Sequence, residues 1–328
     1  MRLRLRVVSS MLGFGLALGF GSAFARIDEP IVATFSIAAC DTAAGIWGVA
    51  VASKFFSVGS VVPWSEAGGA VATQAQANTT FGPRGLDLLQ RGLTAQEALD
   101  VLLRSDPTRS HRQVGIVDAK GGAVTFSGAD CQTWAGGKTG FGYACQGNIL
   151  TGPEVVDAMA RAFESTPGFL GDRMLAALEA GDAAGGDSRG RQSAAIQLSK
   201  AGAGYGGGND ILCDLRVDDH AAPFAELRRI YNVWKPNMLI LEGYRLVEER
   251  KFAEAIKDGE EAARLDPESG QPFYHLACYY ARSGNAEQAM HYLGWAIQLD
   301  PKLKTQATTD SDLAPLRARE DWKRLVGS

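Results

Sequence analysis

The chain has 328 residues, 46% of them hydrophobic and 21% charged, with a formal net charge of −4. That balance belongs to a globular chain of about two domains and argues against a disordered or membrane-embedded one. Without a basic stripe, it also argues against DNA or RNA as a partner.

The first residues set Arg2, Arg4 and Arg6 before a glycine-broken apolar run over 7–20 and then Ala23, Phe24 and Ala25. This is the order of a secretory signal peptide, residues 1–25, cut before Arg26; the run is shorter than the roughly 20 residues of a membrane span. The expectation is a periplasmic or secreted protein that is free of the membrane after cleavage. Losing the three arginines takes the net charge from −4 to −7. Export permits a disulfide, and Cys131 and Cys145, on strands expected to be neighbours, are the pair that could face each other. The alternative for the five cysteines (Cys40, Cys131, Cys145, Cys213 and Cys278) is burial as small hydrophobes. They include no Cys-x-x-Cys pair and have no histidine at ligand spacing, so no metal site is expected.

Residues 31–40 mix alternation with β-branched side chains, 41–45 supply a turn, and 46–52 read as a second strand, which gives a hairpin. The hairpin brings the end of the second strand, at Lys54, back toward Thr34. The small residues over 68–78 suggest a third strand. Helices then follow: one through Leu86, Leu88 and Leu89, and a second opened by the capping box of Thr94 and Glu97, with Ala98, Leu99, Leu102 and Leu103 as its apolar face. Strands are expected at 113–118, 123–127 and 142–149, helices from Pro153 and over 170–179, and strands again at 193–199 and 212–217. Such segregated runs predict a layered α+β domain, residues 26–232, with helices outside stacked antiparallel sheets.

From residue 237 to 328 the pattern is purely helical. Leu265, Asp266 and Pro267 recur as Leu299, Asp300 and Pro301, 34 residues on, the period of tetratricopeptide helix pairs. Ala255 and Ala289, Ala262 and Ala296, and Gly243 and Ala277 keep the same register, while Leu313, Leu316, Trp322 and Leu325 are expected in capping helices.

Thr34 carries the sharpest chemical possibility. As a free amino terminus its α-amine can act as base for its own hydroxyl against an amide; otherwise it is a β-branched strand residue. Lys54 can lower the pKa of a nearby nucleophile or hold a carboxylate, and Asn148, just before a helix, can donate to an oxyanion. Gln74, Gln76 and Asn78 are uncharged donor-acceptors suited to an amide, and Arg191 beside Gln192 can grip a carboxylate. Asp218, Asp219 and His220 read better as a loop clasp than as a triad, because adjacent strand residues point to opposite faces. The glycines over 202–208 lack the Gly-Lys-Ser/Thr of a phosphate loop, so no nucleotide and no other cofactor is expected.

Six blocks in order, TFSIAACD from Thr34, GVAVASKFFSVG from Gly48, ATQAQAN from Ala72, QGNILTGPEVVDAM from Gln146, GGDSRGRQSAA from Gly185 and LRVDDH from Leu215, resemble the domain-of-unknown-function 1028 family over about residues 32–230. The resemblance implies a four-layer αββα sandwich of the N-terminal nucleophile hydrolase class and an amide-like small substrate. In cytoplasmic members the residue matching Thr34 follows the initiator Met; here eight residues, 26–33, remain after signal cleavage, so a second cut is required. The expectation is therefore an exported C–N hydrolase with Thr34, Lys54 and Asn148 catalytic and Gln74, Gln76, Asn78, Arg191 and Gln192 binding substrate. The rival is a non-catalytic scaffold whose repeats hold a protein or peptide, or a second copy as a homodimer.

Overall fold

The computed structural model describes residues 34–327; the expected signal peptide and the expected cut before Arg26 fall outside the described residues. Strands β1 (Thr34–Asp41) and β2 (Ile46–Ser53) form the expected hairpin, with Thr34 opposite Ser53 and Asp41 opposite Ile46. Asp41 closes the turn by accepting the amides of Ala43 and Ala44 at 3.1 and 3.0 Å. Gly45 supplies the positive φ that turn needs.

Four strands, β3 (Pro63–Glu66), β4 (Gly69–Ala75), β5 (Arg112–Val117) and β6 (Ala123–Ser127), make one antiparallel sheet in sequence order. With β7 (Gly136–Gly140), β8 (Tyr143–Asn148), β9 (Ser193–Ser199) and β10 (Ile211–Val217), the first hairpin makes a second, six-stranded sheet in the order β10-β9-β2-β1-β8-β7. Two strands lack an apolar run in the sequence. β3 is short and starts at a proline, and β7 reads Gly-Gly-Lys-Thr-Gly; both are edge strands, held by backbone hydrogen bonds to one neighbour.

The two-residue alternation of β1 sorts its side chains. Phe35, Ile37 and Ala39 join Val155, Met159, Phe163, Met174 and Leu178 of helices α3 (Glu154–Ser165) and α4 (Leu170–Ala183) in one core, while Ala38 and Cys40 meet Ala70, Ala72 and Val117 of the other sheet. Helices α1 (Phe81–Gln90) and α2 (Ala95–Arg104) cover the four-stranded sheet, placing Leu86, Leu89, Leu99 and Leu102 on Val71, Val114 and Ile116. Each such side chain contributes about 1.5–3 kcal/mol of burial. The capping box forms as read: Thr94 Oγ1 accepts the Glu97 amide, and the Glu97 carboxylate accepts the Thr94 amide at 2.9 Å. With the helices described next, the chain is an α+β protein with two antiparallel sheets and ten helices among the described residues.

The disulfide that the sequence permits does not form, and the alternative of buried thiols holds for Cys40, Cys145, Cys213 and Cys278. All five cysteines are free thiols: Cys145 is fully buried in β8, and Cys131 sits in the turn after β6 with its Sγ donating to the Arg112 carbonyl at 3.4 Å. The six-residue reach of β8 starts at Tyr143 opposite β7, so Cys131 has no strand on which to face it.

Helical structure begins earlier than residue 237. Helix α5 (Pro223–Glu248) runs through the expected linker and changes partners along its length: Leu227 and Tyr231 enter the sheet-and-helix core, whereas Leu246 and Val247 enter the helical core. Pro236 stands between the two halves, where it removes one helix hydrogen bond. Lys235 beside it bonds Asp172 of α4 at 2.7 Å and lies 3.8 Å from Glu261 of α6 (Phe252–Leu265).

Helices α7 (Gly270–Arg282), α8 (Ala286–Leu299), α9 (Leu303–Thr309) and α10 (Glu320–Leu325) follow. Both ends of α8 lie 34 residues after those of α6, and α7 ends 34 residues after α5. The small residues matched at that spacing, Gly243, Ala277, Ala255, Ala289, Ala262 and Ala296, are all buried. Close helix approach explains them: a Cβ on Gly243 would sit 2.6 Å from the Tyr279 ring. No described helix is long and apolar enough to cross a membrane.

Candidate active site

Thr34, Ser53 and Asn148 lie side by side. Thr34 is directly opposite Ser53 on β2 and directly opposite Asn148 on β8, so three adjacent strands present a row of polar side chains at one end of the sheet. All three are at most 2% exposed. Thr34 Oγ1 donates to Ser53 Oγ at 3.2 Å. Alternation puts this row on the face turned toward the four-stranded sheet, because Phe35 between Thr34 and Ser36 enters the helix-side core.

The facing sheet answers with two glutamines that pair with each other in register, Gln74 of β4 and Gln113 of β5. Gln74 Nε2 donates to Gln113 Oε1 at 2.8 Å and to the Thr34 carbonyl at 3.3 Å, and its Oε1 accepts from Ser36 Oγ at 2.7 Å. Gln113 Oε1 also accepts Asn148 Nδ2 at 2.9 Å, while its Nε2 donates to Ser127 Oγ and to the Gly147 carbonyl, each at 2.7 Å. Gln146 Nε2 completes the chain by donating to Ser36 Oγ at 2.6 Å. Amides buried away from water cost stability unless bonded, so the network fixes the orientation of each member.

The backbone is strained where these strands end. Ile149, directly after Asn148, has φ 54°, and Ala75, directly after Gln74, has φ 65°. A β-branched residue in the left-handed region costs on the order of 1–3 kcal/mol and persists only where its surroundings hold it. Here the Ile149 amide donates to Gln132 O at 3.2 Å, and its carbonyl accepts from the Ser188 amide and hydroxyl at 3.0 and 2.9 Å.

Beside this row are the end of α4 and the charged loop that follows it, residues 184–191. The Lys54 amide donates to Asp187 Oδ2 at 2.9 Å, and its Nζ reaches the Arg191 carbonyl at 3.3 Å. Asp187 is buried and also takes the Arg189 guanidinium at 2.9 Å, and Arg191 pairs with Asp182 at 2.6 Å. Asp182, Asp187 and Arg191 line an open cavity of about 260 Å³. Gln192 ties the loop to β2, its amide N donating to Ser53 O at 3.1 Å and its side chain to Asp219 at 3.2 Å.

The structure thus gathers Thr34, Asn148 and Gln74, and sets Lys54, Arg191 and Gln192 at the neighbouring loop. Asn78 and Gln76 go elsewhere. Asn78 Nδ2 bonds Asp106 at 3.0 Å and its Oδ1 accepts from Thr80 at the start of α1; the Gln76 carbonyl accepts from Arg112. Both frame the buried Asp106–Arg112 ion pair, 2.9 Å long. Burial works against the Asp106 carboxylate, but hydrogen bonds from Asn78, Thr108 and Arg112 outweigh it and hold the group down to about 2. The Asp218, Asp219 and His220 run is a clasp: Ser57 Oγ bonds Asp218 at 2.8 Å, and His220 Nδ1 accepts the Ala222 amide at 3.0 Å.

Ser53, Gln113, Gln146 and Ser36 are members of the cluster that sequence reasoning missed. Their signal was a polar residue at an inward position of a strand otherwise built of small and apolar residues, legible only once the face of each strand is assigned.

The family model for DUF1028, described as a family of unknown function, matches residues 34–227. The crystal structure of protein SPO2555 from Silicibacter pomeroyi, assigned to the same family, is 30% identical with a TM-score of 0.55, over 61% of this chain and 88% of that one. No curated protein matches the chain. Since the match covers more than half of the sequence and contains every strand and every residue of the buried polar row, the chain belongs to the DUF1028 family.

Proposed function

We propose that this protein is an exported hydrolase of the N-terminal nucleophile type, acting on an amide-like C–N bond of a small substrate. The observation that carries the reading is the row of Ser53, Thr34 and Asn148 in register at the end of the central strands, backed by the buried glutamines. Helices on both outer faces of two stacked sheets support a four-layer αββα sandwich of that class.

Cleavage between Ala33 and Thr34 gives Thr34 a free α-amine, whose pKa near 8 suits a base at neutral pH. The amine takes the proton of Oγ1 as Oγ1 attacks the carbonyl carbon, and Asn148 donates to the oxyanion. Collapse expels the substrate amine with that proton and leaves an ester on Thr34, which water hydrolyses to free acid and restored hydroxyl. Arg191, at the adjoining cavity, and Lys54, whose Nζ donates to the Arg191 carbonyl, suit a carboxylate on the substrate.

Periplasmic or secreted localisation belongs to the same proposal and supplies the first cut, before Arg26. The test is the mature amino terminus. Intact-mass analysis of protein from an exporting host is expected to give Thr34 as first residue, and a chain that begins only at Arg26 refutes the mechanism. With a substrate found, Thr34→Ala abolishes turnover, whereas Thr34→Ser keeps part of it.

A second reading assigns the helical region a binding role. The 34-residue match of α6 with α8 supports tetratricopeptide-like repeats, and the exposed Leu241 and Trp295 offer apolar contacts for a peptide. In that reading the sandwich is a scaffold, and Thr34→Ala leaves function intact.

A further inference from the structure

We infer that the outer edge of β10 is the site where a second copy of this chain docks, the two β10 strands pairing antiparallel about a two-fold axis at Leu215. β10 closes one side of the six-stranded sheet and pairs only with β9, leaving its other row of backbone groups without a strand among the described residues. Its sequence, ILCDLRV, is apolar at five of seven positions and contains no proline or lysine. Edge strands that must stay single are usually blunted by such residues, by bulges or by unpaired charges; here the irregularity lies at Ile211–Cys213, and Asp214 and Arg216 neutralise each other. This one ends beside two exposed apolar groups, Ile211 at 42% and Tyr205, fully exposed at the tip of the loop before it.

The charges decide the partner and the register. Asp214 and Arg216 stand on the same face and are joined along the strand by two bonds of 2.8 Å. In an antiparallel pair centred on Leu215, Asp214 sits opposite the partner's Arg216 and Arg216 opposite the partner's Asp214, with Cβ atoms about 5 Å apart. Shifting the centre to 214 or 216 puts aspartate against aspartate or arginine against arginine. A centre between two residues would oppose side chains that point to opposite faces of the sheet, which a two-fold antiparallel ladder does not allow. One register of self-pairing is therefore favoured, and an isologous contact of this kind closes as a dimer rather than growing into a fibre. The irregular pairing between Ile211 and Cys213 confines the new ladder to residues 213–217.

The experiment is a charge swap read by sedimentation velocity over a range of protein concentration. The wild-type chain is expected to show a concentration-dependent dimer, and Arg216→Asp and Asp214→Arg alone to shift to monomer. The double variant Asp214→Arg with Arg216→Asp restores the dimer, and mixing the two single variants gives a heterodimer. A wild type that stays monomeric at its highest soluble concentration, or single reversals that leave its dimer unchanged, overturns the proposal. Circular dichroism checks that each variant folds. Where one does not, amide exchange of the wild type decides, because protection of β10 must rise with protein concentration and a concentration-independent pattern refutes the pairing.

Discussion

Replacing Gln113 by leucine tests whether the polar layer beneath Thr34 is held by one central side chain. The substitution keeps roughly the same volume but removes the Oε1 that accepts from Gln74 at 2.8 Å and from Asn148 at 2.9 Å. It also removes the Nε2 that satisfies the Gly147 carbonyl and Ser127 Oγ at 2.7 Å. Each buried group deprived of its partner costs about 1–3 kcal/mol, and Gln74 keeps a longer bond to the Thr34 carbonyl at 3.3 Å. The net expectation is a loss of about 2–4 kcal/mol, or roughly 5–10 °C in Tm. Urea and thermal unfolding followed by circular dichroism measure it. Gln192→Leu serves as the comparison, because among the described residues that side chain bonds the exposed Asp219, and its loss is expected to stay within about 0.5 kcal/mol. If Gln113→Leu is as mild as Gln192→Leu, the network does not carry the energy assigned to it.

Asp106 predicts an acid limb. Its folded carboxyl is held at about 2 against an ordinary 3.8, so its contribution of about 2 kcal/mol is complete above pH 4 and is lost as pH falls toward 2. Comparing unfolding at stepped pH with Asp106→Asn should show that dependence removed. Asp258 of α6 has the opposite sign: burial, and then the Glu242 carboxylate, push it up to about 6, so the unfolded chain releases its proton first and stability falls between pH 4 and 6. Asp258→Asn is expected to raise Tm at neutral pH and leave it unchanged near pH 4; an equal shift at both would reject the assignment. Gly243→Ala should destabilise by about 1–3 kcal/mol through collision with Tyr279, although alanine is the better helix former by about 1 kcal/mol. A stabilised variant would mean that the two helices do not pack as closely as described.

Much of this architecture follows from local pattern. The β1–β2 hairpin and the capping box at Thr94 depend on residues close in sequence, the 34-residue helical spacing on a repeated pattern, and each appears in the structure. The strands missed were β3 and β7, whose residues carry no apolar signal because an edge strand is held by its neighbour's backbone. The expected boundary at 232–237 reflects a true change of composition, but one continuous helix spans it, since α5 can give one half to each core without breaking.

The candidate site divides in the same way. Thr34, Asn148 and Gln74 were identifiable as residue types suited to amide chemistry, and the two-residue alternation of strand faces could turn them inward. Their convergence with Ser53 and Gln113 depends on which strand pairs with which, and in what register, across separations of up to 114 residues between Thr34 and Asn148. Asn78 and Gln76 have the same chemistry and a nearby position, yet the Asp106–Arg112 pair claims them. The sequence by itself determined most of the strands and helices and which of their faces are apolar, because those properties come from backbone sterics and short-range periodicity; edge strands β3 and β7 and the start of α5 were the exceptions. Only the tertiary structure decided which polar side chains meet, because register between distant strands is settled by the packing of two whole sheets.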